Sequence, residues 1–377
     1  MAQQRMVVVG GGVMGLATGC ALAAQPGIEV TVLERFRVGH EWASSHGLTR
    51  AIRHEYGDAT IYTDMVARSL ALWKELARET GRTLYTETGV LSLGHADDGH
   101  TLPGLDVMRA RNLPAERLTA AECRERFPQF RPEEYDAITW NPVGGMLHAS
   151  ECLVALSERL QALGGKLREG AQVTRVEPEG DGGRVTLADG TQLTADRVVV
   201  TAGPWIHDVL PELALPVRPT RQQVCYFSNL PDPEMFAVGR FPVFLVGMNQ
   251  YGFPLHGPGW IKVGLHAFGE AADPNAGYDP DMEEVEAVRD FLRRVIPDAA
   301  EARLELVDRC MYDVTPDEDF ILDRHPGGNG VIVGSGFSGH GFKFGILIGE
   351  LLAALARDVE SPVSMERFRL DRFTARS

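Results

Sequence analysis

Hydrophobic positions gather at three places in the chain into short unbroken runs that stop at glycine. They are Met6-Val-Val-Val-Gly10, Arg197-Val-Val-Val-Thr-Ala-Gly203 and Gly330-Val-Ile-Val-Gly-Ser-Gly336. Continuous β-branched runs of this length suit strands buried on both faces, as in a parallel sheet covered by helices. Between them the spacing turns helical. Val66, Leu70, Trp73 and Leu76 recur on one helix face, with Thr63 or Asp64 as the expected cap and Gly81 as the stop. Leu153, Leu156, Leu160 and Leu163 mark a helix from about residue 150, and an apolar helix is expected to run to about Arg357. Elsewhere the pattern is extended: 84–93, 137–140 before a turn at Asn141-Pro142, and an alternating series at 172–176, 184–187 and 193 onward, with Asp189-Gly190 as a hairpin turn. Thr119-Ala-Ala-Glu122 is a capping box that opens a short helix before Pro128. Residues 216–317 are largely extended and rich in aromatics and proline, interrupted by one amphipathic helix at 282–295.

The first run continues into Gly10-x-Gly12-x-x-Gly15, the opening of a dinucleotide-binding βαβ unit. Gly10 makes the tight turn, Gly12 lets the backbone approach a pyrophosphate, and Gly15 lets the next helix sit close to the sheet. The positive end of that helix then faces the phosphates. A second strand, 29–33, ends in Glu34, about twenty residues past the glycines, where a carboxylate accepts from a ribose 2′-hydroxyl and disfavours a 2′-phosphate. The three glycine-terminated strands lie far apart, so the expected α/β fold has a discontinuous nucleotide domain, 1–86, 147–215 and 318–377. The intervening stretches, 87–146 and 216–317, form a second, α+β domain with a mainly antiparallel sheet.

Charge and cysteines narrow the function classes. Lys+Arg 37 against Asp+Glu 52 gives −15, which argues against nucleic acid or an anionic membrane as partner. The five cysteines, Cys20, Cys123, Cys152, Cys225 and Cys310, are scattered, with no CxxC pair and no zinc spacing, as suits a reducing cytoplasm and no metal. The N-terminus lacks signal-peptide architecture, and the longest apolar run, 344–356, carries Glu350 and is too short to span a bilayer. A cytoplasmic, monomeric protein is expected.

Two further segments carry the chemistry. Ser44-Ser-His-Gly-Leu-Thr-Arg-Ala-Ile-Arg53-His-Glu-Tyr56 holds two arginines three apart, which would share one side of any helical turn. Cys310-Met-Tyr312-Asp-Val-Thr-Pro-Asp-Glu-Asp-Phe-Ile-Leu-Asp323-Arg-His-Pro326 is followed by Gly336-Phe-Ser-Gly-His-Gly-Phe-Lys343-Phe. This C-terminal pattern, with the dinucleotide motif, the arginine segment, Tyr251-Gly-Phe-Pro and Lys262-x-x-x-His266, closely resembles the monomeric sarcosine oxidase and N-methyltryptophan oxidase family. The resemblance covers essentially the whole chain. The stretch Val246-Gly-Met-Asn-Gln250 before Tyr251 is shorter than in typical sarcosine oxidases, a departure at the pocket wall.

The resemblance implies a D-amino-acid-oxidase-type flavoprotein with a Rossmann-like FAD domain of GR2 type. FAD would be joined through its 8α-methyl carbon to the sulfur of Cys310. Gly10, Gly12, Gly15, Glu34, Arg35, His46, Thr49, Arg50, Ala202, Gly203, Gly336, Gly339, Gly341 and Lys343 are the expected cofactor-binding positions. Arg50 is expected by the flavin ring, Arg53 and Lys343 on the substrate carboxylate, and Lys262 by the flavin as the group that activates oxygen. His266, Tyr251 and Tyr312 would share the substrate pocket. A planar guanidinium holds a carboxylate through two parallel hydrogen bonds, which fixes the substrate nitrogen relative to the flavin. The implied reaction is oxidation of a secondary N-alkyl amino acid by hydride-equivalent transfer to FAD, sarcosine with O2 and water giving glycine, formaldehyde and H2O2. Alternatives are N-methyltryptophan, pipecolate or another cyclic or fructosyl amino acid, or a dehydrogenase with a non-oxygen acceptor, for which Lys262 would have no evident purpose.

Overall fold

The computed structural model of the protein describes residues 3–247 and 249–373. The three glycine-terminated runs are neighbours in one six-stranded sheet, in the order Ile321–Arg324, Val331–Ser335, Arg197–Val200, Gln4–Val9, Ile28–Leu33 and Lys166–Arg168. Only the first strand runs antiparallel to its neighbour. Val8 pairs with Val199, and Val199 with Ile332, all three fully buried. Both faces of this sheet are covered, which is why the runs are apolar without alternation. Met6, Val8, Val32, Val199 and Ile332 join a core with the helices Val13–Ala23 and Gly345–Ala356. Val7, Val9, Leu33, Val198 and Val333 pack instead on the antiparallel sheet Val173–Glu179, Gly182–Leu187 and Gln192–Ala195.

The second large unit is an eight-stranded sheet in the order Arg303–Val314, Arg218–Ser228, Trp260–Leu265, Gln250–His256, Val243–Val246, Val90–Gly94, Ala137–Asn141 and Glu116–Leu118. It is antiparallel apart from the pairing of Val243–Val246 with Val90–Gly94. The helix Met282–Val295, capped by the Asp281 carboxylate, buries Val288, Phe291 and Leu292 against a phenylalanine-rich core on one side of this sheet. A small sheet of Thr49–Ile52, Gly145–His148 and Tyr85–Glu87 carries Arg50. No helix among the described residues is long and apolar enough to cross a membrane.

The structure corrects three local expectations. The helix expected to be capped by Thr63 or Asp64 begins earlier, at Thr60, with Ala59 at its N-cap and no side-chain cap. Thr63 instead donates to the His54 carbonyl at 3.0 Å, and Asp64 pairs with Arg111. The buried face of this helix starts at Tyr62, whose hydroxyl donates to Asp319 at 2.7 Å, so the extra turn is held by tertiary contacts; Gly81 ends it in the left-handed conformation, as expected. The arginine pair occupies no helical turn, because Arg50 lies within a strand and Arg53 just beyond it. A helix at Thr101–Ala110 was not anticipated; Leu105 and Met108 are its only large buried apolar residues, and Pro103 is tolerated in its first turn. The capping box at Thr119 is formed, with Glu122 donating its backbone N–H to the threonine oxygen at 3.2 Å.

The contact between the first helix and Gly345–Ala356 sets how closely the two glycine motifs approach. A Cβ at Gly349 would lie 2.5 Å from the backbone carbon of Ala17. Gly349→Val should therefore destabilise the fold by about 1–3 kcal/mol, read as a lowered thermal midpoint, and an unchanged midpoint would contradict this packing.

Candidate active site

A long cleft opens at the carboxyl ends of the parallel strands. At its start Gly10 has φ of 104°, and a side chain there would come 2.3 Å from the Thr201 carbonyl oxygen. A Cβ at Gly15 would sit 1.8 Å from the Gly10 carbonyl oxygen, so this close strand-to-helix turn requires glycine at both positions. The helix begins with Gly12 at its N-cap, and the Val13 N–H donates to the Ser45 hydroxyl at 3.0 Å. Glu34 accepts from the backbone N–H groups of Gly11 and Phe36, both at 2.8 Å, and faces His40 at 3.4 Å. Burial alone would raise its carboxyl, but hydrogen bonds from His40, Phe36 and Gly11 outweigh this and hold it below the usual range. Glu34 is thus an ionised acceptor at the end of the second parallel strand.

The cleft continues past Arg35, Ser44, Ala202 and Gly203 to Cys310, Gly339 and Gly341. The Ser44 hydroxyl and the Arg35 Nε are buried there without a partner. Trp205, which sequence reasoning did not single out, stacks near the Arg35 guanidinium at 5.4 Å. A second cavity of about 660 Å³ meets this cleft at Arg50, Cys310, Tyr312, Gly339 and Phe342. It gathers Arg53, Tyr251, Lys262, His266 and Lys343 from four separate segments. Thr49, Gly15 and Gly336 line neither cavity; Thr49 lies behind the site, and Gly336, at φ of 66°, donates its N–H to Asp313 at 2.9 Å.

At the junction Arg50 is fastened by the carbonyls of Thr49 at 2.9 Å, Ser44 at 3.0 Å and His46, and its Nη2 lies 3.7 Å from the Cys310 sulfur. His46 faces Asp308 at 3.4 Å, and the hydrogen bond to that carboxylate raises its pKa. Cys310 is partly exposed, whereas the other four cysteines are buried and all five are free. Burial pushes Cys20, Cys123 and Cys225 up to about 12, the environment of inert thiols. The Cys310 sulfur has the Arg50 guanidinium within hydrogen-bond reach, at 3.7 Å.

The second cavity has one cationic face. Lys262 is 3% exposed and donates to the Thr49 carbonyl at 3.1 Å; burial, assisted by the Arg50 charge, lowers its pKa to about 7. Lys343 donates to the Tyr56 hydroxyl and the His340 carbonyl, each at 2.8 Å, and burial followed by the Arg53 charge holds it well below the ordinary lysine range. The Arg53 guanidinium lies over the Tyr56 ring at 4.7 Å, and its Nη1 has no partner. His266 Nδ1 is 3.3 Å from the Tyr312 hydroxyl; burial, then the charges of Arg53 and Lys343, lower His266 to about 4 and leave it neutral. Burial raises Tyr251 and Tyr312, so both present neutral hydroxyls. Sequence reasoning missed Asp308, His100 and Glu55 at this cavity. Glu55 had a signal, an acid set between Arg53 and Tyr56.

A family model described as FAD dependent oxidoreductase (DAO) matches residues 5–355. The chain belongs to this family. Among similar proteins, the monomeric sarcosine oxidase of Bacillus sp. (strain B-0618) is 34% identical over 97% of this chain and 95% of its own length. The N-methyl-L-tryptophan oxidase of Yersinia pestis (strain Pestoides F) is 35% identical over 98% and 99%. Among solved structures, NikD, an unusual amino acid oxidase essential for nikkomycin biosynthesis, superposes in its open form with a TM-score of 0.84, 26% identity and 98% coverage of both chains. The dinucleotide of this oxidoreductase family is FAD, and the cleft fits it: the glycine turn admits a close backbone approach, Glu34 is ionised, and Ser44 and Arg35 offer free donors.

The buried lysine has a consequence for stability. An unfolded chain keeps Lys262 charged up to its ordinary 10.5, whereas the folded protein holds it charged only below about 7. Folding below that value buries an ammonium, and the penalty shrinks as the pH rises from about 7 toward 10.5. Lys262→Met should melt no lower than the parent protein near pH 6, with any advantage shrinking near pH 9; a marked loss at low pH would show the lysine to be stabilising.

Proposed function

We propose that the protein is a flavin-dependent oxidase of secondary N-alkyl amino acids, with sarcosine as the leading substrate, converted with O2 and water to glycine, formaldehyde and H2O2. The observation that carries this reading is the half-buried Arg53, whose buried Nη1 has no partner, near Lys343 in a cavity that meets the FAD cleft at Cys310. The 34–35% identity to a sarcosine oxidase and an N-methyl-L-tryptophan oxidase supports the same chemistry. Room for a substrate larger than sarcosine, in a cavity of about 660 Å³, favours N-methylated amino acids with a side chain as the second reading.

Bound FAD supplies the acceptor for a hydride equivalent from the carbon attached to the substrate nitrogen, and its reoxidation by O2 yields H2O2. Gly10, Gly12, Glu34, Arg35, Ala202 and Gly203 would hold its dinucleotide portion, and Arg50, Gly339, Gly341 and Lys343 its ring end. The Arg50 guanidinium lies 3.7 Å from the Cys310 sulfur, the atom that would be joined to the 8α-methyl carbon. Arg53 and Lys343 hold the substrate carboxylate. Tyr251, Tyr312 and neutral His266 confine the rest of the substrate and hydrogen-bond to it. The cations around the pocket favour an unprotonated amine, so no strong protein base is required. In its protonated form, held below about pH 7, Lys262 places a positive charge where oxygen takes up electrons. We further propose that the enzyme works as a cytoplasmic monomer.

Anaerobic addition of sarcosine should bleach the yellow protein, and acid precipitation should leave the colour in the pellet but not in that of Cys310→Ser. Failure of sarcosine and of N-methyl amino acids alike to bleach it would overturn the assignment; colour lost to the acid supernatant would overturn the covalent link alone. For Lys262→Met, anaerobic flavin reduction should be nearly unchanged while reoxidation by O2 slows on the order of 10²-fold. In the parent enzyme reoxidation should slow as the pH rises through about 7, where Lys262 loses its charge. Equal reoxidation rates in the two proteins would remove Lys262 from the oxygen step.

A further inference from the structure

The cationic face accounts for only part of the larger cavity. Its other wall is a polar lobe lined by Glu55, Ser92, His100, Thr101 and Thr139. Ser92 and Thr139 are directly paired across neighbouring strands of the eight-stranded sheet, so both side chains project from the same face. The first turn of the helix Thr101–Ala110 closes over the chain after Arg53: a Cβ at Gly104 would lie 3.8 Å from the Glu55 Cα, and one at Gly57 3.1 Å from His100 Nδ1. Glu55 is 3% exposed, and neither of its carboxylate oxygens has a hydrogen-bond partner. The Ser92 hydroxyl, 6% exposed, is also without one. Asn141 is close by, but its amide nitrogen is placed 3.4 Å from His54 Nδ1 and completes no hydrogen bond to Glu55.

A buried carboxylate without donors is costly, and an amino-acid substrate makes its position worse. Burial raises the Glu55 pKa, and the nearby charges that oppose this are Arg53 and Lys343. Both are the groups that a substrate carboxylate would claim. Once they are engaged, Glu55 must take up a proton unless the substrate brings a cation, and its two unpartnered oxygens line the same cavity as the unpartnered Ser92 hydroxyl. A hydroxyl or amide on the substrate would satisfy hydrogen bonds there but leave the charge; an ammonium or guanidinium satisfies both.

We propose that Glu55, with Ser92 and Thr139, forms a subsite for a cationic group on the substrate side chain, so that N-alkylated basic amino acids are preferred over neutral ones of the same length. This rests on the amino-acid oxidase reading of the same cavity. It makes Glu55 a specificity-determining residue with no part in the oxidation itself.

Calorimetric titration of the anaerobic holoenzyme with Nα-methyl-L-lysine and with Nα-methyl-L-norleucine, which lacks only the terminal ammonium, tests it. The parent protein should bind the lysine derivative at least about tenfold more tightly. Glu55→Gln should bring the two affinities to within about twofold, with the norleucine affinity nearly unchanged. Equal affinities in the parent protein, binding of neither compound, or a preference that survives in Glu55→Gln would each overturn the subsite. Should Glu55→Gln fail to fold, the preference or indifference of the parent protein still decides. Bleaching of the flavin in the same samples reports the oxidase reading separately: selective binding without bleaching by any amino acid refutes that reading, and bleaching by sarcosine without selectivity refutes only the subsite.

Discussion

Four basic side chains, Arg50, Arg53, Lys262 and Lys343, converge on one cavity, and most of the site's properties follow from the cost of gathering them there. Each is managed differently. Arg50, permanently charged, is tied down by three backbone carbonyls and placed against the Cys310 sulfur. The two lysines yield instead, and their pKa values fall. His266 is kept neutral, as are the two tyrosines. The result is a pocket whose basic groups can meet a carboxylate and an electron-rich centre.

Such a cluster can only be assembled by a fold that brings distant segments together and holds them rigidly. Arg50 and Arg53 enter from a small edge sheet and the turn beyond it, Lys262 and His266 from Trp260–Leu265 and just past it, Cys310 and Tyr312 from the long strand Arg303–Val314, and Lys343 from the turn before Gly345–Ala356. The six-stranded sheet fixes the last of these relative to the dinucleotide turn, because Val331–Ser335 lies two strands from Gln4–Val9. The eight-stranded sheet supplies the opposite wall: one side rests on a phenylalanine-rich core, which leaves residues such as Lys262 and Tyr251 to face the cavity.

Much of this was legible in the chain itself. The buried strands needed only their β-branched runs and terminal glycines, and the amphipathic helix Met282–Val295 appeared with its observed limits because its apolar spacing and the Asp281 cap agree. What the pattern could not reveal was tertiary in origin. The helix at Thr60–Thr80 gains its first turn from contacts of Tyr62 with a segment about 250 residues away. Lys262 in an apolar strand reads by periodicity as a solvent-side residue, yet the cavity runs along that face and buries it. Arg50 and Arg53 owe their proximity to a strand and an irregular turn, which residue spacing cannot distinguish from a helical turn. Glu55 was passed over because an acid in a basic segment looks like ordinary charge balance; its lack of partners is visible only once the fold closes around it.

The proposed catalysis depends on the cationic face binding a carboxylate beside the flavin. The most direct measurement is the change in flavin absorbance when the holoenzyme is titrated with propionate and, separately, with propionamide, which matches it in shape but carries no charge. Propionate should shift the flavin bands saturably and propionamide should not, and the shift should vanish when Arg53 and Lys343 are both replaced by methionine. Equal responses to the two compounds, or a propionate response that persists without those two residues, would contradict the account.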